Sequence, residues 1–509
     1  MPDAAPDPDA CPLLYELNTR VRLRQRGQEL GRAATLDDLA DDELDRLAGL
    51  GFRWVWLLGV WRTGAFGRRI ALGHEEWRRA FRDALPDLRD DDVCGSCFAI
   101  AGYDVPPELG GAAALQRLRA RMHDRGLRLM LDFVPNHTAF DHPWVRRRPD
   151  LFVQGAESDL ARAPADYLRV DTERGPRVLA CGRDPGFPAW PDVAQLNYGN
   201  PETRRAMGET LLAIADQCDG VRCDMAMLIL PEVFRRTWGI ATEPFWPDAI
   251  RSVRDRRPGF LFMAEAYWDL EWELLRQGFD CAYDKRLYDR LLARTARPVR
   301  EHLGADPGFQ RRLVRFLENH DEQRAAAAFP WDAHQAAAVL CHLAPGLRLF
   351  HQGQLEGLAA RVPVHLSRAA AEAPDPAVSG FYARLLGVLR QPVFHDGDWR
   401  ALEPAEAWPG NGSWDGFVAF QWTGQGRGQG RGQGRGTAGE HWIVAVNYQP
   451  AQGQCLLRCP GVAGGRVVLA DALGPARYER EGDDLASRGL YLDMPPWGHH
   501  VFELTRPAG

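Results

Sequence analysis

Short, nearly continuous apolar runs recur along the chain, separated by amphipathic stretches. The runs are LLYELNTRV (13–21), FRWVWLLGV (52–60), LRLMLDFVP (127–135), GVRCDMAM (220–227), GFLFMAEAY (259–267), FDCAYDK (279–285), LVRFLENHD (313–321) and GLRLFHQGQ (346–354). Such runs suit strands buried on both faces. Helical patterns fall at 36–50, 113–125, 201–217, 243–256, 270–277, 287–303, 333–344 and 379–390. Strand and helix therefore alternate eight times over roughly 380 residues, the count of a (β/α)8 TIM barrel. A doubly wound open sheet is the rival, but no strand here runs into GxGxxG.

Two connections are too long for simple loops. One spans 61–112; the other, 138–200, follows the third strand and reads as a small inserted subdomain. Beyond about residue 393 the helical pattern stops. GFVAFQW (416–422), HWIVAVNY (441–448), QCLLRC (454–459), RVVLADA (466–472) and HVFELT (500–505) alternate with turns, as in an all-β domain. The expected division is a barrel from 1–137 with 201–392, an insert at 138–200 and a C-terminal β-sandwich at 393–509. The repeat GQGRGQGRGQGRG (424–436) reads as a flexible insertion at a hairpin tip.

Composition narrows the chemistry. With 62 basic and 69 acidic residues the net charge is −7, so no global positive field draws the chain to nucleic acid or anionic lipid. No apolar run approaches the roughly 18–20 residues of a membrane span. MPDAAPDPDACPLL has Asp and Pro where a signal peptide needs a basic start and an apolar stretch, so a cytoplasmic location is expected. The ten cysteines are thinly spread, and the lone CxxC of Cys94 and Cys97 lacks the second pair a zinc site wants. Lys285 is the single lysine, which removes a P-loop and leaves Schiff-base chemistry one candidate; HExxH and GxSxG are also absent.

Polar residues at the strand ends carry the functional signal. The third run ends Asp132-Phe-Val-Pro-Asn136-His137, the fourth Arg222-Cys-Asp224, the fifth Glu265 and the seventh Asn319-His320-Asp321. In a barrel, the carboxyl ends of the strands form the catalytic face. Burying an Asp in a run as apolar as GVRCDMAM costs several kcal/mol unless it is paired or used. Three carboxylates converging on one rim with an arginine and two histidines meet the needs of glycoside cleavage.

DFVPNH (132–137), GVRCD (220–224), Glu265 in FMAEAYW and FLENHD (316–321) resemble, in order, four signatures of the α-amylase superfamily. VAQLN (193–197) is similar to its fifth. The resemblance implies a retaining enzyme acting on maltooligosaccharides or α-glucans, with Asp224 as nucleophile, Glu265 as general acid and base, and Asp321 gripping sugar hydroxyls. It implies that Arg222 keeps Asp224 ionised and that His137 and His320 bind the reacting sugar. Asp132 would support the barrel mouth. Phe98 stands where the family has a stacking tyrosine, with Tyr103 after it, and Trp144, Trp190, Trp246 and Trp268 are further candidates to line sugar subsites. Asn136 matches a calcium ligand of the family, but Gln195 replaces an acidic residue, so no cofactor is expected, and calcium through Asn136 is the one the resemblance leaves open. Met227 and Leu228 replace a Lys-His pair that binds leaving-side glucose, which argues against long starch chains. Hydrolysis and transglycosylation share every one of these catalytic residues. A binding protein on the same scaffold would have lost a carboxylate, and all three are present.

Overall fold

The computed structural model describes residues 11–424 and 440–506. Eight parallel strands close into a barrel: β1 (Leu13–Asn18), β2 (Trp54–Leu58), β3 (Arg128–Phe133), β4 (Gly220–Cys223), β5 (Leu261–Ala264), β6 (Cys281–Tyr283), β7 (Leu313–Arg315) and β8 (Leu347–His351). Neighbours in the chain are neighbours in the barrel, and β8 pairs with β1.

Side-chain alternation decides what each strand sends inward. In β1, Leu13, Tyr15 and Leu17 pack outward with the helices, whereas Leu14 joins Trp54, Trp56, Met130, Met263 and Val314 in the barrel interior. The same parity carries Glu16, Asp132 and Arg222 inward, one step nearer the carboxyl ends. Register places Arg222 beside both Asp132 and Met263. At the opposite end Gly220 is forced: a Cβ there would lie 2.8 Å from the Leu261 carbonyl and 3.0 Å from the Trp54 ring.

Several elements differ from the sequence pattern. The run at 13–21 leaves the strand after Asn18, whose side chain accepts from Val21 N and caps a helix over Thr19–Leu30 that the arginine-rich sequence does not suggest. The connection 61–112 holds helices Ala65–Gly73 and Glu75–Ala84. The single helix expected at 287–303 is two, Lys285–Leu292 and Ala296–Leu303, divided at Arg294 with φ 57°. Pro298 lies in the first turn of the second, a position that proline tolerates and a helix interior does not.

Between β3 and β4 the chain builds a small antiparallel sheet in the order His137–Ala139, Trp190–Gln195, Gly175–Gly182, Gln154–Gly155, with Tyr167–Thr172 hairpinned onto Gly175–Gly182. After the barrel come a six-stranded sheet and a three-stranded sheet. Asp398–Leu402, Arg477–Glu481 and Leu490–Met494 are strands there that the pattern did not single out, and a short helix, Gly482–Ser487, interrupts them. The glycine–arginine repeat lies outside the described residues from 425 onward. Among the described residues no helix is long and apolar enough to cross a membrane.

Candidate active site

A cavity of about 220 Å³ opens at the carboxyl ends of the barrel strands, lined in part by Phe98, His137, Trp190, Asp224, Glu265 and Asp321. A larger cavity of about 630 Å³ lies beside the helix Thr19–Leu30, with Arg20, Arg24, Asp91 and Glu108 on its wall, and holds none of the rim carboxylates.

Arg222 lies under the smaller cavity and is fully buried. Its guanidinium spans two carboxylates: Nη1 donates to Asp224 Oδ1 at 2.6 Å, and Nη2 forms an ion pair with Glu265 Oε2 at 2.7 Å. Asp132 Oδ1 stands 3.7 Å from Nη1. One cation thus faces three buried carboxylates, and the surplus negative charge moves their proton affinities. Burial pushes the Glu265 carboxyl up to about 7, against the pull of Arg222 and with help from Asp224 and Asp321. Burial likewise raises Asp224 above the usual carboxylate range, while Arg222 works to keep it charged. Asp132 is pushed up to about 7 by burial.

Glu265 is held by both oxygens. Oε2 accepts from the Met225 backbone N–H at 2.6 Å, and Oε1 accepts from the Tyr267 hydroxyl at 3.0 Å. Met225 adopts φ 43° directly after Asp224, and that left-handed turn aims its N–H across to the neighbouring strand.

On the far side, Asp321 is half-exposed at the cavity mouth, with His320 Nε2 3.0 Å from its Oδ2. His320 Nδ1 meets Glu16 Oε1 at 2.5 Å, so the imidazole is clamped between two carboxylates. Burial works against its charge, but Asp321 and Glu16 outweigh that and hold the ring protonated well above the usual histidine range. Enclosure opposes charge on Asp321 too, yet His320 and Arg222 hold it down at about 2. Phe98 packs on the His320 ring at 5.3 Å and over the Arg222 guanidinium at 5.0 Å. His137, buried and pushed down to about 3, is a neutral imidazole beside Trp190 at 5.4 Å.

The structure therefore brings Asp224, Glu265, Asp321, Arg222, His137, His320 and Phe98 together. Tyr103 is not among them. Its hydroxyl donates to Val134 O at 3.1 Å and accepts from Val134 N at 2.9 Å, and its ring packs on Trp61 and Phe133. It ties down the end of β3 rather than facing the cavity. Of the four tryptophans, Trp190 lines the cavity, whereas Trp246 is fully buried with its N–H on Ala226 O, Trp144 packs on His142, and Trp268 is 42% exposed outside the cavity. Glu16 and the Met225 N–H are partners the sequence reading passed over. Glu16 carried a signal, since it too is an acid at the end of an apolar run.

Asn136 does not fit a calcium site. Gln195 Nε2 donates to Asn136 Oδ1 at 2.9 Å and to Asn136 O at 3.0 Å, and Asn136 Nδ2 donates back to Gln195 Oε1 at 3.2 Å. Both side chains are buried and mutually satisfied, with an amide N–H where calcium needs oxygens and carboxylates. Among the described residues no group of three or more His, Cys, Asp or Glu is arranged to hold a metal.

An α-amylase, MalA, of Haloarcula japonica is 25% identical over 350 residues, which is 67% of this chain and 43% of that protein. The family profile "Alpha amylase, catalytic domain" matches residues 41–167. Over the parts these matches cover, the chain is similar to proteins of the α-amylase family. The chain spans about half the length of the curated relatives it matches. Another is the trehalose synthase/amylase TreS of Mycolicibacterium smegmatis, 28% identical over 273 residues, covering 47% of this chain and 44% of the relative. Among solved structures, an α-amylase from Lactobacillus plantarum superposes with a TM-score of 0.66 at 20% identity, over 97% of this chain and 99% of the other. At that identity the α-amylase likeness speaks for the fold.

Proposed function

We propose that this chain is a glycosidase that cleaves α-glucosidic bonds of maltooligosaccharides or α-glucans with retention of configuration. The observation that carries the reading is Arg222 bridging Asp224 and Glu265. Two carboxylates that share one guanidinium suit the spacing of about 5–5.5 Å that retaining enzymes use. Their environments assign the roles. Glu265, raised to about 7, keeps a proton near neutral pH. Since Oε2 is taken by the Met225 N–H and Arg222, that proton sits on Oε1, beside Tyr267. Asp224, with Oδ1 on Arg222, attacks the anomeric carbon through its other oxygen. The bond from that carbon to the glycosidic oxygen breaks, and the Glu265 proton goes to the departing oxygen. Water then gives its proton to Glu265 and its oxygen to the anomeric carbon, releasing Asp224. Asp321, charged and aimed by His320, accepts hydroxyls of the ring as it flattens. The relatives, amylases among them, support an α-glucan substrate.

A second reading is transfer to a sugar acceptor, and the trehalose synthase/amylase relatives favour keeping it. One experiment addresses both. Maltotriose is incubated with the full chain while the first-formed anomer is followed by proton NMR and the products by chromatography. The expected result is an α-anomer and shorter sugars; products longer than the input, or an isomerised disaccharide, assign the transferase. A β-anomer overturns retention. Asp224→Asn should lower kcat roughly a thousandfold or more, and wild-type-like rates in that variant refute the nucleophile.

A further inference from the structure

One end of the cavity is closed by elements that lie outside the signature strand ends. Trp77, on the helix Glu75–Ala84 after β2, and His365, in the segment after β8, both line it. Their rings meet at 4.7 Å, and His74 stacks on the other face of Trp77 at 4.5 Å. This wall is built in. Cys94 N donates to His365 O at 2.8 Å, and Ser367 N donates to Asp92 O at 2.8 Å. Val93 bridges Leu366, and behind them Ala71, Phe81 and Leu85 form a small core of their own. Arg368 clamps the Asp92 carboxylate, with Nη2 on Oδ2 at 2.7 Å and Nε on Oδ1 at 2.9 Å.

The barrel says which end is closed. β2 and β8 flank β1, and β1 stands diametrically across the closed eight-strand barrel from β5, which carries Glu265. The leaving group departs past the acid that protonates it, so the wall blocks the opposite, non-reducing side of the sugar. The enclosed space, about 220 Å³, falls below the roughly 300–1,000 Å³ of pockets that take larger ligands. Asp192 lies against the preceding helix, Ala65–Gly73, where a Cβ built on Gly67 would be 3.8 Å from the Asp192 Cβ. Asp192 is 4% exposed and lines the cavity. Among the described residues its carboxylate meets no cation, and its one polar partner is its own backbone N–H. A buried carboxyl with no partner beyond its own backbone N–H, facing a sugar-sized space, is a hydroxyl acceptor awaiting its donor.

We infer that the site admits a single terminal glucosyl unit, stopped by Trp77 and His365 and held at its far hydroxyls by Asp192, so that the enzyme removes one unit at a time from non-reducing ends. This rests on the glycosidase reading above. The test compares three substrates on the full chain: maltopentaose, maltopentaose chemically capped on its non-reducing 4- and 6-hydroxyls, and α-glucosyl fluoride, a lone glucosyl unit with a reactive leaving group. The expected result is turnover of the first and third and a loss of roughly a hundredfold or more on the capped chain. Trp77→Ala should raise the capped-to-free rate ratio by about tenfold, and Asp192→Ala should raise KM for α-glucosyl fluoride by about tenfold or more. Capped and free maltopentaose cleaved at similar rates, with the fluoride also turned over, overturns the one-unit pocket and leaves the glycosidase standing. No turnover of any of the three, the fluoride included, overturns both.

Discussion

Glu265 and Asp224 share one arginine yet need opposite charge states, and their surroundings separate them. Both are raised by burial and by the charge of Asp321, but Asp224 accepts a hydrogen bond from Arg222, whereas Glu265 also feels the charge of Asp224. The pH dependence follows. The proposed mechanism requires Glu265 protonated, so kcat/KM on maltotriose should fall above about pH 7 as that proton is lost. It requires Asp224 ionised, so the acid limb should lie above the usual carboxylate range. Asp321→Asn removes one of the charges that raise Glu265. Its alkaline limb should therefore move toward lower pH by a few tenths to about one unit, on top of a loss in rate. A limb that moves upward, or stays put, would refute that coupling. The rim acids were legible in the sequence because a carboxylate in an apolar strand has few reasons to be there. The Met225 N–H was not, because it is a backbone atom aimed by a left-handed turn.

At the scale of elements, Asp284 shows how a strand hands the chain to its helix. Its Oδ1 accepts from Leu287 N at 3.1 Å, capping the helix Lys285–Leu292. Its Oδ2 receives Arg315 of β7 and lies 2.9 Å from His302 Nε2, on the helix Ala296–Leu303. Arg315 is fully buried, so Asp284→Ala would strand its charge and lose a cap. The expected cost is about 3–5 kcal/mol from the pair and about 1 kcal/mol from the cap, read as a lower urea midpoint. A shift below about 1 kcal/mol would show that Arg315 finds other support. Burial opposes the Asp284 charge, but Arg315 and His302 outweigh it and hold the carboxyl below its ordinary range. Its contribution is therefore full at neutral pH and is lost in acid, as pH falls through that lowered value. The same neighbourhood explains what the pattern missed. The break at Arg294 carries no glycine, and only Pro298 hints at it. Likewise the helices in 61–112 are short and arginine-rich, and their apolar faces make sense only against distant residues such as Phe140 and Leu366.

The whole molecule is layered, and the layers explain why the C-terminal strands read as continuous apolar runs. In the strand Phe417–Thr423, Val418, Phe420 and Trp422 belong to the core shared with the barrel helices, while Phe417 and Ala419 face the second sheet. The strand His441–Asn447 divides the same way, with Val444 and Val446 toward the barrel and Ile443 and Ala445 away. The six-stranded sheet is thus a middle layer, buried on both faces, and alternation disappears from its sequence. Its attachment to the barrel is specific. Trp422 is fully buried, its indole N–H donates to Leu343 O at 2.8 Å, and its ring packs on Phe394 at 5.8 Å. The Tyr448 hydroxyl donates to Leu291 O at 2.6 Å. Such an interface makes barrel and sheets one cooperative unit. Trp422→Ala removes a large side chain from it and leaves the Leu343 carbonyl unpaired, at an expected cost of about 3–5 kcal/mol. Calorimetry of the intact chain should show one transition, and in the variant that whole transition should move down together with the temperature at which glycosidase activity is lost. Two transitions, with the variant lowering only one that leaves activity untouched, would mean that the sheets ride on the barrel without stabilising it. A joint shift means that the rim holding Asp224 and Glu265 draws on the packing of the sheets at the barrel's flank.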